Sequence, residues 1–437
     1  MVRLFIGGDM KVDISQEDDN LIFNFHLEKD DNPHPHTSYS FNNPSVKVDL
    51  KGIRLFDIHP DLIALSTILM CHPFVGSRLD YPLPVSDDFQ QAMNRVVSRY
   101  KLYPKSTDTV AKRHVGDNYR MGLAYSGGVD SNAALSVLPR DTAPVFMLRP
   151  KRNKSLYLPS AALESCSLLQ EVGYDVRIIT CDVEYRRDPV GFPTDLANAI
   201  PAILLADDLK LDSISFGTVL ESAFGLGHEK YRDYGKGAHW KFYGTLFEAA
   251  GVSLSLPVSG ISEVGTTMIT NTDPIGDFSQ SCIRGEWKRP CNRCWKCFRK
   301  GVLNSSFGNR AEMEMGLRNL VFSKEVIGKL NGIPISHENI LEYALQRINV
   351  TNDRRLESVK KRVDRQTDLD FLEKWFHPSL DFNPPKYRRG IKNKILDRIC
   401  MMDAQEMESV MSWDMGPDLA LKSLRDSAEM MNSILND

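Results

Sequence analysis

Ser126-Gly127-Gly128-Val129-Asp130-Ser131 follows a short apolar run, Met121 to Tyr125, and precedes a segment with helical spacing, Ala133 to Leu138. Two adjacent glycines let the backbone turn tightly and bring its N–H groups close to a ligand. The helix that follows points its positive end at the same place. Ser126 and Ser131 add hydroxyl donors, and Asp130 adds a carboxylate able to hold Mg²⁺. The stretch reads as a pyrophosphate cradle at a strand-to-helix junction. It is not the Walker loop, because the G-x-x-x-x-G-K-[ST] spacing and its lysine are missing. An ordinary glycine turn would need neither the flanking serines nor the aspartate.

Outward from this loop the pattern alternates. Pro144 to Leu148 and Asp175 to Thr180 read as strands, with Ser160 to Val172 helical between them. Asp195 to Leu209 has helical spacing, but Pro201 lies inside it and is expected to kink or split it. Ser213 to Phe216 is a fourth strand, closing on Gly217. Strands and helices alternating at these lengths predict an α/β fold with a doubly wound parallel sheet. Ligands of such sheets sit beyond the carboxyl ends of the strands, where Ser126 to Ser131 falls.

Residues 1–105 predict a separate β-containing N-terminal extension, with strands at Leu21 to Leu27 and Ser45 to Leu50. Asp30 to Pro44 reads as an exposed turn-rich loop, and His34 and His36 as turn residues rather than metal ligands. The apolar run Leu62 to Val75 predicts a buried helix ending near Pro73. Residues 106–301 form the central domain, and 302–437 a charged helical C-terminal region. The basic clusters Arg354 to Arg365 and Lys386 to Arg398 read as solvated helix faces in preference to a nucleic-acid surface. The last helix, Pro417 to Leu435, mixes Met and Leu with charges.

With 42% hydrophobic and 25% charged residues, the composition of the 437-residue chain is that of a soluble globular protein. Its net charge of -3 argues against a nucleic-acid coat. The absence of a signal-peptide pattern and of a long apolar run predicts a cytoplasmic protein with no membrane partner.

Four of the eight cysteines crowd together as Cys282, Cys291, Cys294 and Cys297, a C-x8-C-x2-C-x2-C spacing. Four thiolates suit a closed, structural Zn²⁺ site better than a catalytic one. An iron–sulfur site is the competing use of such ligands. Arg284, Lys288, Arg289, Arg293, Lys296, Arg299 and Lys300 surround them. This charge is expected either to face an anionic ligand or to form a solvated rim. Cys71, Cys166, Cys181 and Cys400 are scattered and predict buried reduced thiols.

Taken together, the glycine loop and the cysteine cluster resemble those of the PP-loop ATP pyrophosphatases, within the HUP fold group, and specifically the 7-cyano-7-deazaguanine synthase (QueC) family. The resemblance covers Asn118 to Gly301 and rests on Ser126 to Ser131, Ser281-Cys282 and Cys291-Asn292-Arg293-Cys294-Trp295-Lys296-Cys297. It implies a ligase-type enzyme that adenylates a carboxylate, 7-carboxy-7-deazaguanine in the family, with release of pyrophosphate. The acyl group then passes to ammonia or another amine. It assigns ATP to Ser126, Gly127, Gly128, Val129, Asp130 and Ser131, catalysis and Mg²⁺ to Asp130 and Ser131, and Zn²⁺ to Cys282, Cys291, Cys294 and Cys297. The chain departs from the family at Phe192-Pro193-Thr194-Asp195 and at Tyr231-Arg232-Asp233-Tyr234, both on the substrate side. It is also longer at both ends. That profile is similar to QueC-like proteins of bacterial anti-phage operons, such as the Qat type, and implies a protein partner held by the two extensions. Glu221, His228, Asp233 and His239 are substrate-side candidates by position alone. The alternatives are a tRNA-modifying PP-loop enzyme using the basic tail, and a non-catalytic nucleotide-binding scaffold.

Overall fold

The computed structural model describes residues 10–105, 110–152, 156–228, 230–308, 314–317, 319–351, 353–419 and 422–436. It is a mixed α/β structure with a helical C-terminal region. Strands are numbered in chain order: β1 Met10–Glu17, β2 Asn20–His26, β3 Ser40–Phe41, β4 Ser45–Asp49, β5 Arg78–Tyr81 and β6 Lys101–Pro104. Then come β7 Arg120–Tyr125, β8 Ala143–Leu148, β9 Arg177–Thr180, β10 Arg187–Asp188, β11 Leu211–Ser215 and β12 Ser253–Ser255.

The central sheet has the order β12-β11-β7-β8-β9, and every pairing in it is parallel. The chain therefore starts in the middle at β7, winds outward through β8 and β9, and returns to the other side for β11 and β12. The sheet is apolar on both faces, as parallel sheets are. Met121, Leu123 and Tyr125 of β7 enter one core with the Val129–Val137 and Ser160–Glu171 helices. Ala124, Val145 and Ile214 enter the other, with Ile200, Ile203 and Leu204.

Several sequence expectations change in detail. The helix after the glycine loop begins at Val129, inside the motif, rather than at Ala133. The Asp195 to Leu209 segment, in which Pro201 was expected to force a kink or a split, is divided: a 3-10 turn, Ala197–Ala199, is followed by a short helix, Ile200–Leu204. Pro201 sits in the first turn of that helix, where its missing N–H costs nothing. β12 and the long strand β1 were not predicted: β12 is too short to show a period, and β1 keeps its buried Met10 and Val12 among polar neighbours. The terminal helix is described as Gly416–Leu419 and Lys422–Asn436.

The N-terminal extension is a five-stranded sheet, β4-β2-β1-β5-β6, in which the first two pairings are antiparallel and the last two parallel. The Pro60–Cys71 helix is buried on all sides and packs against Ile200–Leu204 of the central region. One apolar cluster therefore runs from the N-terminal sheet through one face of the central sheet into the C-terminal helices. Arg186 reinforces the joint. Its guanidinium is buried, donates to the carbonyls of Met70 (2.7 Å) and Asn43 (2.9 Å), and stacks over Phe25 and Phe41. The loop holding His34 and His36 is exposed and closed by side-chain turns, as its composition predicts.

The basic clusters of the tail are not solvated along their length. Arg362 is buried against Glu338, Arg398 donates to Asp273, Arg388 to Asp381, and Lys386 pairs with Asp212. Much of this charge holds the helices to the body. No helix among the described residues is long and apolar enough to cross a membrane.

Candidate functional site

β7 delivers Ser126 to the carboxyl end of the central sheet, at the strand where the winding order reverses. Gly127 has φ of +74° and stands so close to the Ser160–Glu171 helix that a Cβ would lie 3.2 Å from the Ala162 Cα. Both demands require glycine. Gly128 is the N-cap of the next helix, whose first internal bond runs from the Asn132 N–H to the Gly128 carbonyl. The amides of Val129, Asp130 and Ser131 are therefore left without partners inside the helix. The Gly128 and Val129 N–H groups make only long contacts, 3.4 Å to Ser126 Oγ and 3.4 Å to Ser281 Oγ. Ser131 Oγ accepts from the Ser126 N–H at 3.1 Å and closes the loop. The Gln280 N–H binds the Gly127 carbonyl, which ties the glycine loop to the segment carrying Cys282.

Asp130 leads into a buried polar network that the sequence did not reveal. Its Oδ1 accepts from Thr266 Oγ1 (2.9 Å) and pairs with Lys300 Nζ (3.3 Å). Its Oδ2 makes no hydrogen bond to the described residues. Lys300 Nζ also lies 3.1 Å from Glu263 Oε2, and Arg299 Nη2 is 2.6 Å from Glu263 Oε1. His337 Nδ1 lies 3.3 Å from the same Oε1. The Glu263 backbone N–H donates to Glu221, which also accepts from Asn339. His228 closes the group, with its ring 5.3 Å from that of His337. Gly227 makes this approach possible, since a Cβ there would lie 1.9 Å from Asn339 Oδ1.

The environment divides these groups by charge. Burial raises the Glu221 carboxyl to about 8, helped by the charge of Glu263, so at neutral pH it is mostly protonated. Burial would also raise Glu263, but Lys300, Arg299 and His337 hold it down to about 2. Burial and the Arg299 charge push His337 down to about 4, leaving its imidazole neutral. Desolvating several charges costs several kcal/mol per ion before pairing repays it, so such a cluster is a poor device for stability. Perturbed groups packed beside the glycine loop make this a candidate functional site instead.

On the other side of Ser126 lies a cavity of about 250 Å³. Phe146, Tyr157 and Phe192 give it aromatic walls, and Ala162, Gln280 and Cys282 lie at its edge. Arg149, paired with Glu184, and Asn198 also line it. Arg149 Nε and Asn198 Oδ1 are buried there without a hydrogen-bond partner. An aromatic slot with an unmet donor and an unmet acceptor suits a flat heterocycle with polar edges.

The four clustered cysteines converge. Their sulfurs all lie within 4.8 Å of one another, with Cys291 to Cys297 at 3.8 Å and Cys294 to Cys297 at 3.5 Å. Four sulfurs on Zn–S bonds of about 2.3 Å would stand ~3.8 Å apart in a tetrahedron. The cluster could therefore hold a metal such as zinc. Hydrogen bonding from Cys297 lowers Cys294 to about 5, and the same contact raises Cys297. Cys294 caps the Trp295–Ser305 helix, which carries Arg299 and Lys300. These two bases are thus buried partners of Glu263 and Asp130, not part of a rim. Arg284 is instead a partly exposed partner of Glu325.

The other cysteines separate. Cys71, Cys166 and Cys181 are buried, and burial pushes the first two thiols up to about 12. Cys400, expected to be buried, is exposed in the turn after the Pro385–Leu396 helix. Of the four substrate-side candidates, Glu221 and His228 join the network beside Asp130. Asp233 instead caps the 3-10 turn Tyr234–Lys236, and His239 pairs with Asp195 and Tyr234. Glu263, Thr266, His337 and Asn339 carried no motif. Arg299 and Lys300 were noted in the sequence for their charge beside the cysteine cluster, but not for their contacts with Glu263 and Asp130.

The fold and site thus define an α/β chain with a glycine loop at the switch point of a parallel sheet, a charged network and a four-cysteine cluster. Residues 242–414 match the model of a family of unknown function (DUF6395). That segment contains the cysteine cluster, Glu263, Arg299, Lys300 and His337, but not the glycine loop. No curated protein and no solved structure matches the chain.

Proposed function

We propose that this chain is a QueC-like enzyme of the PP-loop, HUP-type class, which uses ATP to adenylate a carboxylate and then transfers the acyl group to an amine. The carrying observation is the placement of Ser126 to Ser131. The loop lies at the switch point between the aromatic cavity on one side and Asp130 with Lys300 on the other. In this reading the base of ATP enters the 250 Å³ cavity, where Arg149 Nε and Asn198 Oδ1 meet its polar edge. The amides of Gly128 and Val129 and the hydroxyls of Ser126 and Ser131 hold the phosphates. Lys300 neutralises charge on the departing pyrophosphate. Asp130 Oδ2 is free to take Mg²⁺, which when bound adds further charge neutralisation there. Catalysis of this kind rests on positioning and electrostatics, and needs no nucleophilic side chain.

The substrate we favour is 7-carboxy-7-deazaguanine, and the acceptor is ammonia or a protein amine, in an anti-phage setting in the cytoplasm. Zn²⁺ is the metal we assign to Cys282, Cys291, Cys294 and Cys297. The two extensions are where we place a protein partner. A tRNA-modifying role has less support, because Arg362, Lys386, Arg388 and Arg398 already face carboxylates of the protein.

The test is pyrophosphate release from ATP with 7-carboxy-7-deazaguanine, comparing the protein with Asp130→Ala. Substrate-dependent release that falls at least about 100-fold in the variant is the expected result. No release from folded, metal-loaded protein with this acid, alone or with an added amine, would overturn the assignment.

A further inference from the structure

The proposed reaction needs a group to take a proton from the amine in its second half, and the phosphate loop offers none. Asp130 is bound to Lys300 and Thr266, and Glu263 is held by two cations. His337 is different. It belongs to the C-terminal region, yet it reaches the network beside Asp130 through Glu263. Its backbone is left-handed, with φ of +59° and ψ of +44°, at the residue preceding the Glu338–Gln346 helix. That conformation costs an L-residue roughly 1–2 kcal/mol, and it aims the ring into the network. Nδ1 is buried 3.3 Å from Glu263 Oε1 without an aligned hydrogen bond. Nε2 has no hydrogen-bond partner among the described residues.

We propose that His337 accepts the proton of the attacking amine, with Glu263 stabilising the imidazolium that results. This rests on the adenylating reading above. The amine nitrogen attacks the acyl carbon of the acyl-adenylate, and the C–N bond forms. The nitrogen becomes a strongly acidic ammonium, and His337 Nε2 takes one proton from it. The tetrahedral adduct collapses, the C–O bond to AMP breaks, and AMP leaves with that electron pair. Amide, AMP and one imidazolium remain, and the imidazolium returns its proton to solvent.

The groups facing His337 suit this task. Glu263 and Asp130 favour its protonated form, while Arg299, His228 and burial favour the neutral one. The resting ring is therefore neutral and free to accept, and a carboxylate stands ready 3.3 Å from Nδ1. A weak base suffices, because the proton donor is an ammonium on a tetrahedral carbon. Glu221 and Asn339, beneath the network, are neutral at rest and add no competing charge.

The experiment separates the two halves of the reaction in the full-length, metal-loaded protein. His337→Asn keeps a residue that tolerates the left-handed backbone but removes the titratable nitrogen. ATP–pyrophosphate exchange with 7-carboxy-7-deazaguanine should stay within about threefold of the parent. Amide formation from a primary amine should fall about 100-fold or more, the range of one general base. The ammonium formed when hydroxylamine attacks is far more acidic and loses its proton to water unaided, so hydroxamate formation should be largely retained. His337→Gly also fits the backbone, leaves an imidazole-sized space, and should regain amide formation when imidazole is added. Amide formation within threefold of the parent in His337→Asn would overturn the proposal. So would equal loss of exchange and transfer in both folded variants. Absence of exchange in the parent protein would instead sink the adenylating reading itself, and this inference with it.

Discussion

At the scale of the residue, Glu221 shows how burial sets chemistry. Its carboxyl is fully buried, and its folded pKa of about 8 stands well above the ordinary value of 4.5. Below pH ~4.5 both folded and unfolded chains carry the proton. Between there and about 8 the unfolded chain releases it while the folded chain keeps it, so stability falls as pH rises. Above that range the loss is complete. Glu263 has the opposite sign, with a pKa of about 2, and its contribution is lost only as pH drops below 4.5. Glu221→Gln should therefore flatten the decline of unfolding free energy between pH 5 and 8, by on the order of 2–4 kcal/mol. The new amide could still accept from the Glu263 N–H and, with the Asn339 amide turned over, donate to Asn339 Oδ1, which has no partner among the described residues. Denaturant titrations at several pH values check this, and parallel curves for the two proteins would show that Glu221 is ionised. Nothing in the sequence announced this pairing, because Glu221, Glu263 and Asn339 are far apart along the chain and sit in no motif.

At the scale of the element, the Trp295–Ser305 helix joins the cysteine cluster to the glycine loop. Cys294 caps it, Cys297 lies in its first turn, and Arg299 and Lys300 follow two and three residues after Cys297 and reach Glu263 and Asp130. The Glu325 carboxylate accepts from the Trp295 N–H at 3.1 Å, satisfying one of the helix's open donors. A metal on the four sulfurs would therefore fix the register of the helix and the place of Lys300. Reduced protein supplied with zinc should carry about one metal per chain, measured by atomic absorption. Chelation or Cys294→Ser should lower the melting temperature by several degrees and weaken pyrophosphate release in parallel. A metal-free protein with an unchanged melt would reduce the cluster to packed thiols. The C-x8-C-x2-C-x2-C spacing made the cysteine cluster legible. The use of Arg299 and Lys300 was not, since spacing cannot distinguish a solvated base from one turned inward.

At the scale of the molecule, the three segments read from the sequence share one apolar core, and Arg186 ties the first to the second. Burial lowers the Arg186 pKa to about 9, yet its guanidinium still donates to two backbone carbonyls. Arg186→Ala should cost about 2–4 kcal/mol by leaving those acceptors unmet. Unfolding should remain a single transition, with tryptophan fluorescence and far-UV circular dichroism coinciding. Separate transitions would instead show an N-terminal unit that folds alone. The strand–loop–helix around Gly127, the parallel α/β pattern and the cluster of four cysteines were legible from the residues alone. Each depends on local periodicity or on spacing within one short stretch. Which charges are buried, that β12 completes the sheet, and that His337 meets Glu263 beside Lys300 and Asp130 became visible only in the packed fold. Those outcomes depend on which distant segments pack together, and burial, not residue type, then sets the protonation of each group.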